Sequence, residues 1–523
     1  GYTAPATELQ RRVAAVWADV LGVDRVGVHD GFFDLGGHSI RALVLAAALR
    51  EDGLDVSVRD LLELRTVAEL CAVLAGRGAA APAAPAVAPV ALVPPADRAL
   101  LPSGLDDAYP LTQVQLGMLV ETLSGAGPDG RRPYHHVVSF TVHDERPFDE
   151  AALRAAVAAV AARHDVLRTS VDPTGCSVPM QLVHSAAGVP LRVVDLRGTA
   201  DAEERVRRFV AEETDAPFDP TVAPLLRLAV LRETDAAWRL AVTFSHVVVE
   251  GWSLHALFTE LVDTYRAVLA GLPAEGPGGS PPPVRFADVV AGELAALDSA
   301  ADRAHWTGLV GRYARFTLPA AWGDPAAPAR WFTTRVRFDD LLDRLREHAS
   351  AARVSLKSVL HAAHLAVLGR LTTEERFHSG LVGHIRPDVA GAERVFGMSL
   401  NTLPFPHDRS ARTWRELVTA VHATEIAQWP HRRFPAPAVP RGGAARLTEV
   451  FFSYLDFDDV VDDRVDLGSG VGGGTTGFPL GVTAVPGELE LTADARAVTP
   501  AAARLLAGLY REALAALAAD LDG

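Results

Sequence analysis

The feature that most limits what this chain can fold into is a run of alanine and proline at residues 79–103. The run has no aromatic residue and little charge, so it cannot bury enough apolar surface to form a core. Its prolines favour an extended backbone. It therefore predicts a semi-rigid linker that tethers a small N-terminal part, residues 1–78, to a large part, residues 104–523.

Residues 1–78 show the hydrophobic periodicity of a small helical bundle. The first helix is predicted over residues 8–21, where Val13 and Trp17 share one face. A later helix is predicted to begin at Thr66, because Glu69 follows three residues on in a capping-box pattern. The predicted helices of this part are residues 8–21, 40–49, 58–64 and 66–75.

Residues 104–523 alternate strand patterns with helix patterns, which predicts α/β architecture. Strands are predicted at 136–142, 225–231, 238–244 and 450–454, and helices at 149–162, 203–213, 252–269 and 341–351. A proline-rich break at residues 273–283 divides this part. We therefore expect two lobes, residues 104–275 and 276–523, each a sheet covered by helices.

Bulk properties exclude several classes of function. The formal net charge of −15 argues against a nucleic-acid or anionic-membrane surface. Two cysteines give no disulfide framework and suit a reducing compartment. No apolar run reaches transmembrane length, and no signal peptide is visible. These properties predict a cytoplasmic protein that binds neither nucleic acid nor membrane.

A serine at a helix start is the first candidate functional residue. The string DLGGHSI at residues 34–40 leads from a glycine turn into an apolar helix. This pattern puts the Ser39 hydroxyl at a helix N-terminus, where free N–H groups and a partial positive charge suit a phosphate. The full string DGFFDLGGHSI, residues 30–40, resembles the phosphopantetheine attachment motif of acyl and peptidyl carrier domains. The resemblance implies that Ser39 carries a covalent 4'-phosphopantetheine group, added by a phosphopantetheinyl transferase.

A histidine between a strand and a helix is the second candidate. Residues 238–244 alternate as a strand, and a helical pattern starts after Gly251, so His246 falls in the connecting loop. Catalytic groups are often found on such loops. Backbone N–H groups near Gly251 would lie at a helix N-terminus, where they could stabilise an oxyanion. The pattern of a histidine followed by Glu250-Gly251 has little specificity by itself.

The order of several strings adds that specificity. The strings YPLTQVQLGML (109–119), RHDVLRT (163–169), SHVVVEG (245–251) and FGMSLNTLP (396–404) occur in this order. They resemble successive core motifs of condensation domains from nonribosomal peptide synthetases, and FAD (286–288) and HRRFP (431–435) match two others weakly. The chain thus looks like a synthetase fragment in which a peptidyl carrier domain of four helices precedes a condensation domain.

That resemblance implies two chloramphenicol-acetyltransferase-like lobes with a tunnel between them. It also implies amide bond formation between a donor thioester on Ser39 and an amine on a downstream acceptor carrier, with an upstream adenylation domain as a further partner. His246 maps onto the catalytic histidine of the motif HHxxxDG, as base or as positioner. Ser245 replaces the first histidine and Glu250 replaces the aspartate, whose expected partner across the lobes is Arg386.

Three readings stay open at this stage. Besides condensation, the lobes and the histidine motif would suit an epimerisation domain, although the string NTLP (401–404) favours condensation. Ser245 and Glu250 would also suit a recruitment domain that has lost catalysis. Within condensation, the strings QLGML (115–119) and EGWS (250–253) look more like the subtype that takes a D-configured donor.

Other polar residues are given structural roles. His135 and His136 are predicted to be an ordinary strand-end pair that could line the tunnel. The Ser253 hydroxyl is predicted to cap a helix. His384 and His431 form no metal-ligand pattern, so no metal site is predicted.

Overall fold

The computed structural model describes residues 2–78, 86–124, 133–144, 146–274, 282–328, 330–443, 446–455, 465–473 and 477–523. The helices are α1 Glu8–Leu21, α2 Ser39–Glu51, α3 Val58–Glu63, α4 Val67–Leu74, α5 Gln113–Leu123, α6 Glu150–Arg163, α7 Ala202–Thr214, α8 Gly251–Leu269, α9 Phe286–Asp298, α10 Ala300–Arg312, α11 Asp339–Ala352, α12 Leu356–Gly369, α13 Trp414–Gln428 and α14 Pro500–Ala519. The strands are β1 Leu105–Pro110, β2 His135–His143, β3 Thr169–Asp172, β4 Met180–His184, β5 Leu191–Asp195, β6 Leu226–Arg232, β7 Ala237–Ser245, β8 Ala314–Arg315, β9 Trp331–Arg337, β10 Arg376–His384, β11 Leu400–Asp408, β12 Val450–Tyr454, β13 Val465–Gly473, β14 Leu480–Val485 and β15 Glu488–Asp494.

Helices α1 to α4 form the N-terminal bundle, as the sequence predicts. Local signals determine both ends of α1. The Thr7 side chain accepts a hydrogen bond from the backbone N of Gln10, and Gly22 ends the helix with a φ of +69°. Trp17 and Phe32 are fully buried between the helices, with ring centroids 5.6 Å apart.

The first lobe is built on a five-stranded sheet in the order β13-β2-β7-β6-β5. On β7, Trp238, Leu240 and Phe244 point into one buried cluster, as the alternation of the strand predicts. Helices α6 and α8 cover this face and contribute Leu153 and Phe258 to the same cluster. The strand β7 ends at the loop that carries His246.

The second lobe is built on a larger sheet in the order β11-β10-β12-β14-β15-β9, with β8 paired to β10. Helices α11, α12, α13 and α14 cover it. Its core includes Phe338, Phe452 and Tyr510, all fully buried. The strand β10 ends at His384, two residues before Arg386.

The pairing of strand β13 differs from what the predicted division into two lobes implies. Strand β13 belongs to the second half of the sequence, yet it pairs antiparallel with β2 of the first lobe. Residues 276–523 are therefore not a separate unit, because 465–473 complete the other sheet. The predicted boundary at residue 275 lies outside the described residues.

The predicted linker is also only partly a linker. Residues 79–85 lie outside the described residues. Residues 86–103 pack on the large part instead of standing free: Val87 N donates to Asp288 Oδ1 (2.7 Å) and Val90 N donates to Asp107 Oδ1 (2.6 Å). The side chain of Arg285 joins the two contacts, since it pairs with Asp107 and donates to the carbonyl of Val87.

The anchored segment also adds to a small core. Val93 is buried against Met180 and Leu182 of β4, in the sheet β1-β4-β3. Ser177 donates its hydroxyl to Asp97 at 2.5 Å.

Among the described helices, none combines the length and apolar character that a membrane span needs.

Candidate functional site

Ser39 is the first residue of α2, as the sequence predicts. The turn before it depends on two glycines. Gly36 has a φ of +85°, and a Cβ on Gly37 would lie 2.5 Å from the carbonyl oxygen of Phe32. His38 is the N-cap and accepts a hydrogen bond from the backbone N of Arg41. Ser39 is half-buried at a helix end, which fits the attachment of a phosphate-linked group.

Ser39 lines a cavity of about 770 Å³ between the N-terminal bundle and the large part of the chain. Gly251 and Trp252, at the start of α8, line the same cavity, as do His384 and Arg386 of the second lobe. The volume is typical of a site that holds a small molecule. A group attached to Ser39 would thus enter a space bordered by Glu250 and Gly251 of the histidine motif, whereas His246 is not among the residues that line it.

The bundle contacts the second lobe through apolar, ring and polar contacts, and Ile426 and Trp429 of the second lobe pack into its core. Phe33 meets the ring of His422 edge-on with centroids 5.5 Å apart, and His422 Nε2 lies 3.3 Å from the carbonyl oxygen of Leu62. Arg353 pairs with Glu69 of α4. Burial in this contact lowers the pKa of His422 to about 4.

His246 follows the last residue of β7. Its backbone N donates to the carbonyl of Tyr134 at 2.7 Å, which joins the loop to the residue before β2. Its Nδ1 lies 2.6 Å from the carbonyl oxygen of Val249. A carbonyl only accepts, so Nδ1 carries the proton and Nε2 keeps a lone pair. Burial lowers the pKa of His246, so the ring is neutral at pH 7.

A second imidazole lies beside His246. The centroid of His136 is 4.9 Å from that of His246, in an edge-to-face arrangement. Burial keeps its pKa well below the usual value, and the neighbouring His246 adds to this. Within the described residues its Nε2 has no hydrogen-bond partner. The sequence predicts His136 only as an ordinary strand-end histidine, and the pairing with His246 is a finding of the structure. No signal in the sequence identifies the pairing, because it depends on the register of β2 against β7, in which His136 lies opposite Phe244.

Glu250 and Arg386 form a buried ion pair between the lobes. Arg386 Nη2 lies 2.5 Å from Glu250 Oε1, and both side chains are about 1% exposed. Burial alone would raise the pKa of Glu250, but the charge of Arg386 and hydrogen bonds from Ser253 and Trp252 outweigh it and lower the pKa. The expected partner of Glu250 is therefore found in the expected place.

The same carboxylate is the N-cap of α8. It accepts hydrogen bonds from the backbone N of Trp252 (2.7 Å) and of Ser253 (3.2 Å). This arrangement corrects two expectations. The Ser253 hydroxyl is not the cap, since it donates to Glu250 Oε1 and accepts from Gly397 N. Two of the N–H groups near Gly251 that are predicted to stabilise an oxyanion donate to the Glu250 carboxylate instead.

Ser245 lies opposite His135 in the register of β7 against β2. Its backbone N donates to the carbonyl of Leu225, and its own carbonyl accepts from Val248.

His431 does not line the cavity beside Ser39, and its Nδ1 lies 2.5 Å from Asp302 Oδ1. Among the described residues, no group of three or more His, Cys, Asp or Glu side chains could hold a metal ion.

Comparison with known proteins then decides the family. The condensation domain family model matches residues 105–452, and the phosphopantetheine attachment site model matches residues 11–74. The chain belongs to the condensation domain family. Its N-terminal bundle is a carrier domain with a phosphopantetheine attachment site. The order of a carrier domain before a condensation domain agrees with the sequence reading.

The relatives are peptide and antimetabolite synthetases. AMB antimetabolite synthetase AmbE of Pseudomonas aeruginosa is 36% identical over 546 residues, which cover 99% of this chain and 25% of that protein. Phosphinothricin tripeptide synthetase PhsB of Streptomyces viridochromogenes is 32% identical over 448 residues, 83% of this chain and 36% of its own length. The chain therefore spans a quarter to about a third of these relatives.

Solved structures show the same fold. The first condensation domain of the calcium-dependent antibiotic synthetase, in complex with a substrate analogue, has a TM-score of 0.64 at 21% identity, covering 80% of this chain and 98% of that one. The X-domain from teicoplanin biosynthesis has a TM-score of 0.63 at 23% identity, with 79% and 96% covered. The predicted fold, a carrier bundle and a condensation domain with chloramphenicol-acetyltransferase-like lobes, is confirmed.

Proposed function

We propose that this chain forms an amide bond in nonribosomal peptide synthesis. The donor is an acyl or peptidyl thioester carried through phosphopantetheine on Ser39. The acceptor is the amine of an aminoacyl thioester on a downstream carrier domain. The observation that carries the proposal is that Ser39 lines one cavity together with Glu250 and Gly251 of the histidine motif.

In this reaction the amine nitrogen bonds to the thioester carbonyl carbon, the carbon–sulfur bond breaks, and the proton lost by nitrogen ends on the released thiolate. The attached group supplies the thiol of that thioester. His246 is the residue we propose to receive or orient the proton of the amine, through the lone pair of Nε2. Its lowered pKa supports this role, because a protonated imidazole could not accept a proton.

The other motif residues hold His246 in place. Val249 accepts from Nδ1, and the adjacent Glu250 is fixed by Arg386 and by the start of α8. This anchoring limits the movement of the whole loop from 246 to 250. Much of the rate acceleration would then come from positioning, since both reactants arrive tethered.

The proposal implies three partners. A phosphopantetheinyl transferase modifies Ser39, an upstream adenylation domain loads it, and a downstream carrier delivers the amine. We place the reaction in the cytoplasm, where free thiols persist. Both cysteines, Cys71 and Cys176, are free.

A second candidate is a recruitment domain that docks a carrier without catalysis. Two observations favour it: Ser245 occupies the position of the first motif histidine, and Glu250 occupies N–H groups at the start of α8. An epimerisation domain has no comparable observation in its favour.

The test is product formation by the chain loaded at Ser39 and given a soluble acceptor amine, followed by intact-protein mass spectrometry. We expect His246→Ala to lower the rate by about 10²-fold or more, the usual scale for a proton-transfer group. His143→Ala is the matched control, because His143 lies exposed at the other end of β2.

Each reading gives a different result. If the domain only recruits a carrier, neither the wild-type chain nor any variant should form product. Epimerisation predicts deuterium wash-in at the α-carbon of the Ser39-bound group. Equal rates for His246→Ala and His143→Ala would contradict the role given to His246.

A further inference from the structure

The cavity beside Ser39 is walled by buried nitrogen atoms that lack hydrogen-bond partners. His384, Arg386, Trp429 and Arg432, which we call the His384 cluster, all line it, and each is more than nine-tenths buried. Within the described residues six of their nitrogens have no partner: Nδ1 and Nε2 of His384, Nε and Nη1 of Arg386, Nε of Arg432 and Nε1 of Trp429. Buried polar groups are nearly always bonded, so this set indicates a ligand.

The kinds of nitrogen define the chemistry of that ligand. Arginine and tryptophan side chains only donate, and a neutral imidazole has one donor and one acceptor. The His384 cluster therefore offers several donors and almost no acceptor. A group with two or more acceptor oxygens at one point would satisfy it, and a carboxylate does so with charge-assisted bonds.

The local charge favours an anion. Arg432 and Arg433 share one carboxylate, that of Asp388, at 2.6 Å and 3.2 Å. Burial lowers the pKa of Arg432 to about 10, which shows that its partner does not fully compensate the loss of water. Burial holds the pKa of His384 well below the usual value, and nearby cations, chiefly Arg432 and Arg386, add to this. An anion bound at this wall of the cavity would offset the excess of positive charge.

The cluster is also preorganised. His384 meets Trp429 edge-to-face with centroids 5.4 Å apart, and the Arg432 guanidinium lies over the same indole at 4.2 Å. Arg386 is held by its bond to Glu250. A ligand would therefore find these donors already oriented, which reduces the cost of binding.

We propose that the His384 cluster selects donors whose acyl group ends in a carboxylate or a similar anion. The inference rests on the proposed function, because it takes the occupant of the cavity to be the group tethered to Ser39. The tether has acceptor oxygens of its own, so the test keeps the tether constant and varies only the acyl group.

The first measurement does not use catalysis. Ser39 is loaded with succinyl or butyryl groups through an amide in place of the thioester, so that both chains have four carbons and neither can react. We expect the succinyl form to melt about 2–4 °C higher than the butyryl form. The second measurement uses the two thioesters with one acceptor amine, and we expect the succinyl group to be transferred at least tenfold faster.

His384→Leu should reduce both differences, since it removes two of the six nitrogens without adding a charge and leaves the two arginines in place. His378→Leu is the matched control. His378 lies on the same strand, β10, is 3% exposed, and does not line the cavity. It should lower the stability of both loaded forms equally and keep the preference for succinyl.

Three results would overturn the inference: equal melting of the two loaded wild-type forms, a preference that His384→Leu leaves unchanged, or a preference that His378→Leu reduces as much as His384→Leu does. Failure of the proposed function would give a different result from failure of this inference. If no donor is transferred but the melting difference appears and depends on His384, the anion site stands and the condensation proposal fails.

Discussion

The ion pair between Glu250 and Arg386 allows the sharpest test of how the site is held together. Glu250→Ala removes three features at once: the counter-ion of a fully buried guanidinium, the acceptor of the Ser253 hydroxyl, and the N-cap of α8. An unpaired buried charge costs roughly 3–5 kcal/mol. Loss of an N-cap adds about 1 kcal/mol. The sum, roughly 4–6 kcal/mol, is a large fraction of the 5–15 kcal/mol that stabilises a typical domain.

The assay is thermal unfolding of the whole chain, in which we expect Glu250→Ala to lower the Tm of the condensation domain by about 5–7 °C. Glu250→Asp should lose much less, because aspartate is also a good N-cap and keeps the charge. A double-mutant cycle isolates the pair: Glu250→Gln and Arg386→Met should together cost less than the sum of the single changes, by about 2 kcal/mol.

A second pair provides the control. Arg376 and Asp408 join β10 to β11 at 3.1 Å, but their side chains are 63% and 39% exposed. The same kind of cycle there should give a coupling below about 1 kcal/mol. Additive effects at Glu250 and Arg386, or a coupling no larger than that of the exposed pair, would refute the claim that this pair holds the lobes together.

Three further predictions concern single residues. A phosphopantetheinyl transferase with coenzyme A should modify the chain once; Ser39→Ala should abolish the mass shift, and Ser57→Thr, which keeps the cap of α3, should not. His136→Ala should slow product formation by about tenfold, less than His246→Ala, because it acts through ring contact and positioning. Burial keeps the pKa of His361 well below the usual value, so below about pH 6.5 the unfolded chain binds a proton that the folded chain does not. Stability should therefore fall from pH 7 to pH 4, and His361→Leu should make the fall in Tm smaller.

Local signals explain which parts of the fold could be read from the sequence. Helix α1 and strand β12 have the predicted ends, because a Thr7 cap, a left-handed Gly22 and a short apolar run are all contained in neighbouring residues. Strand β13 was not predicted as part of the first lobe, since nothing near residues 465–473 specifies a partner more than three hundred residues earlier.

The residues of the candidate site also differ in whether the local sequence identifies them. The strings around Ser39 and His246 could be found because each is continuous in the sequence. The pairing of Glu250 with Arg386 came from family resemblance, not from pattern, since the two lie on different lobes. The unpartnered nitrogens of His384 could not be foreseen, because a missing hydrogen bond is a property of the packed structure.

The anchored segment after the carrier domain has a consequence for its effective concentration. Val87 is hydrogen-bonded to Asp288 and Arg285, so the nine residues that follow Gly78 connect the carrier domain to this anchored position. A fully extended chain of that length spans at most about 30 Å. Confinement within such a radius corresponds to a local concentration on the order of millimolar. At that concentration even a docking surface of millimolar intrinsic affinity would be occupied much of the time. The surface between the carrier and the second lobe includes the Arg353–Glu69 ion pair, the Phe33–His422 ring contact and an apolar contact that brings Ile426 and Trp429 into the carrier core.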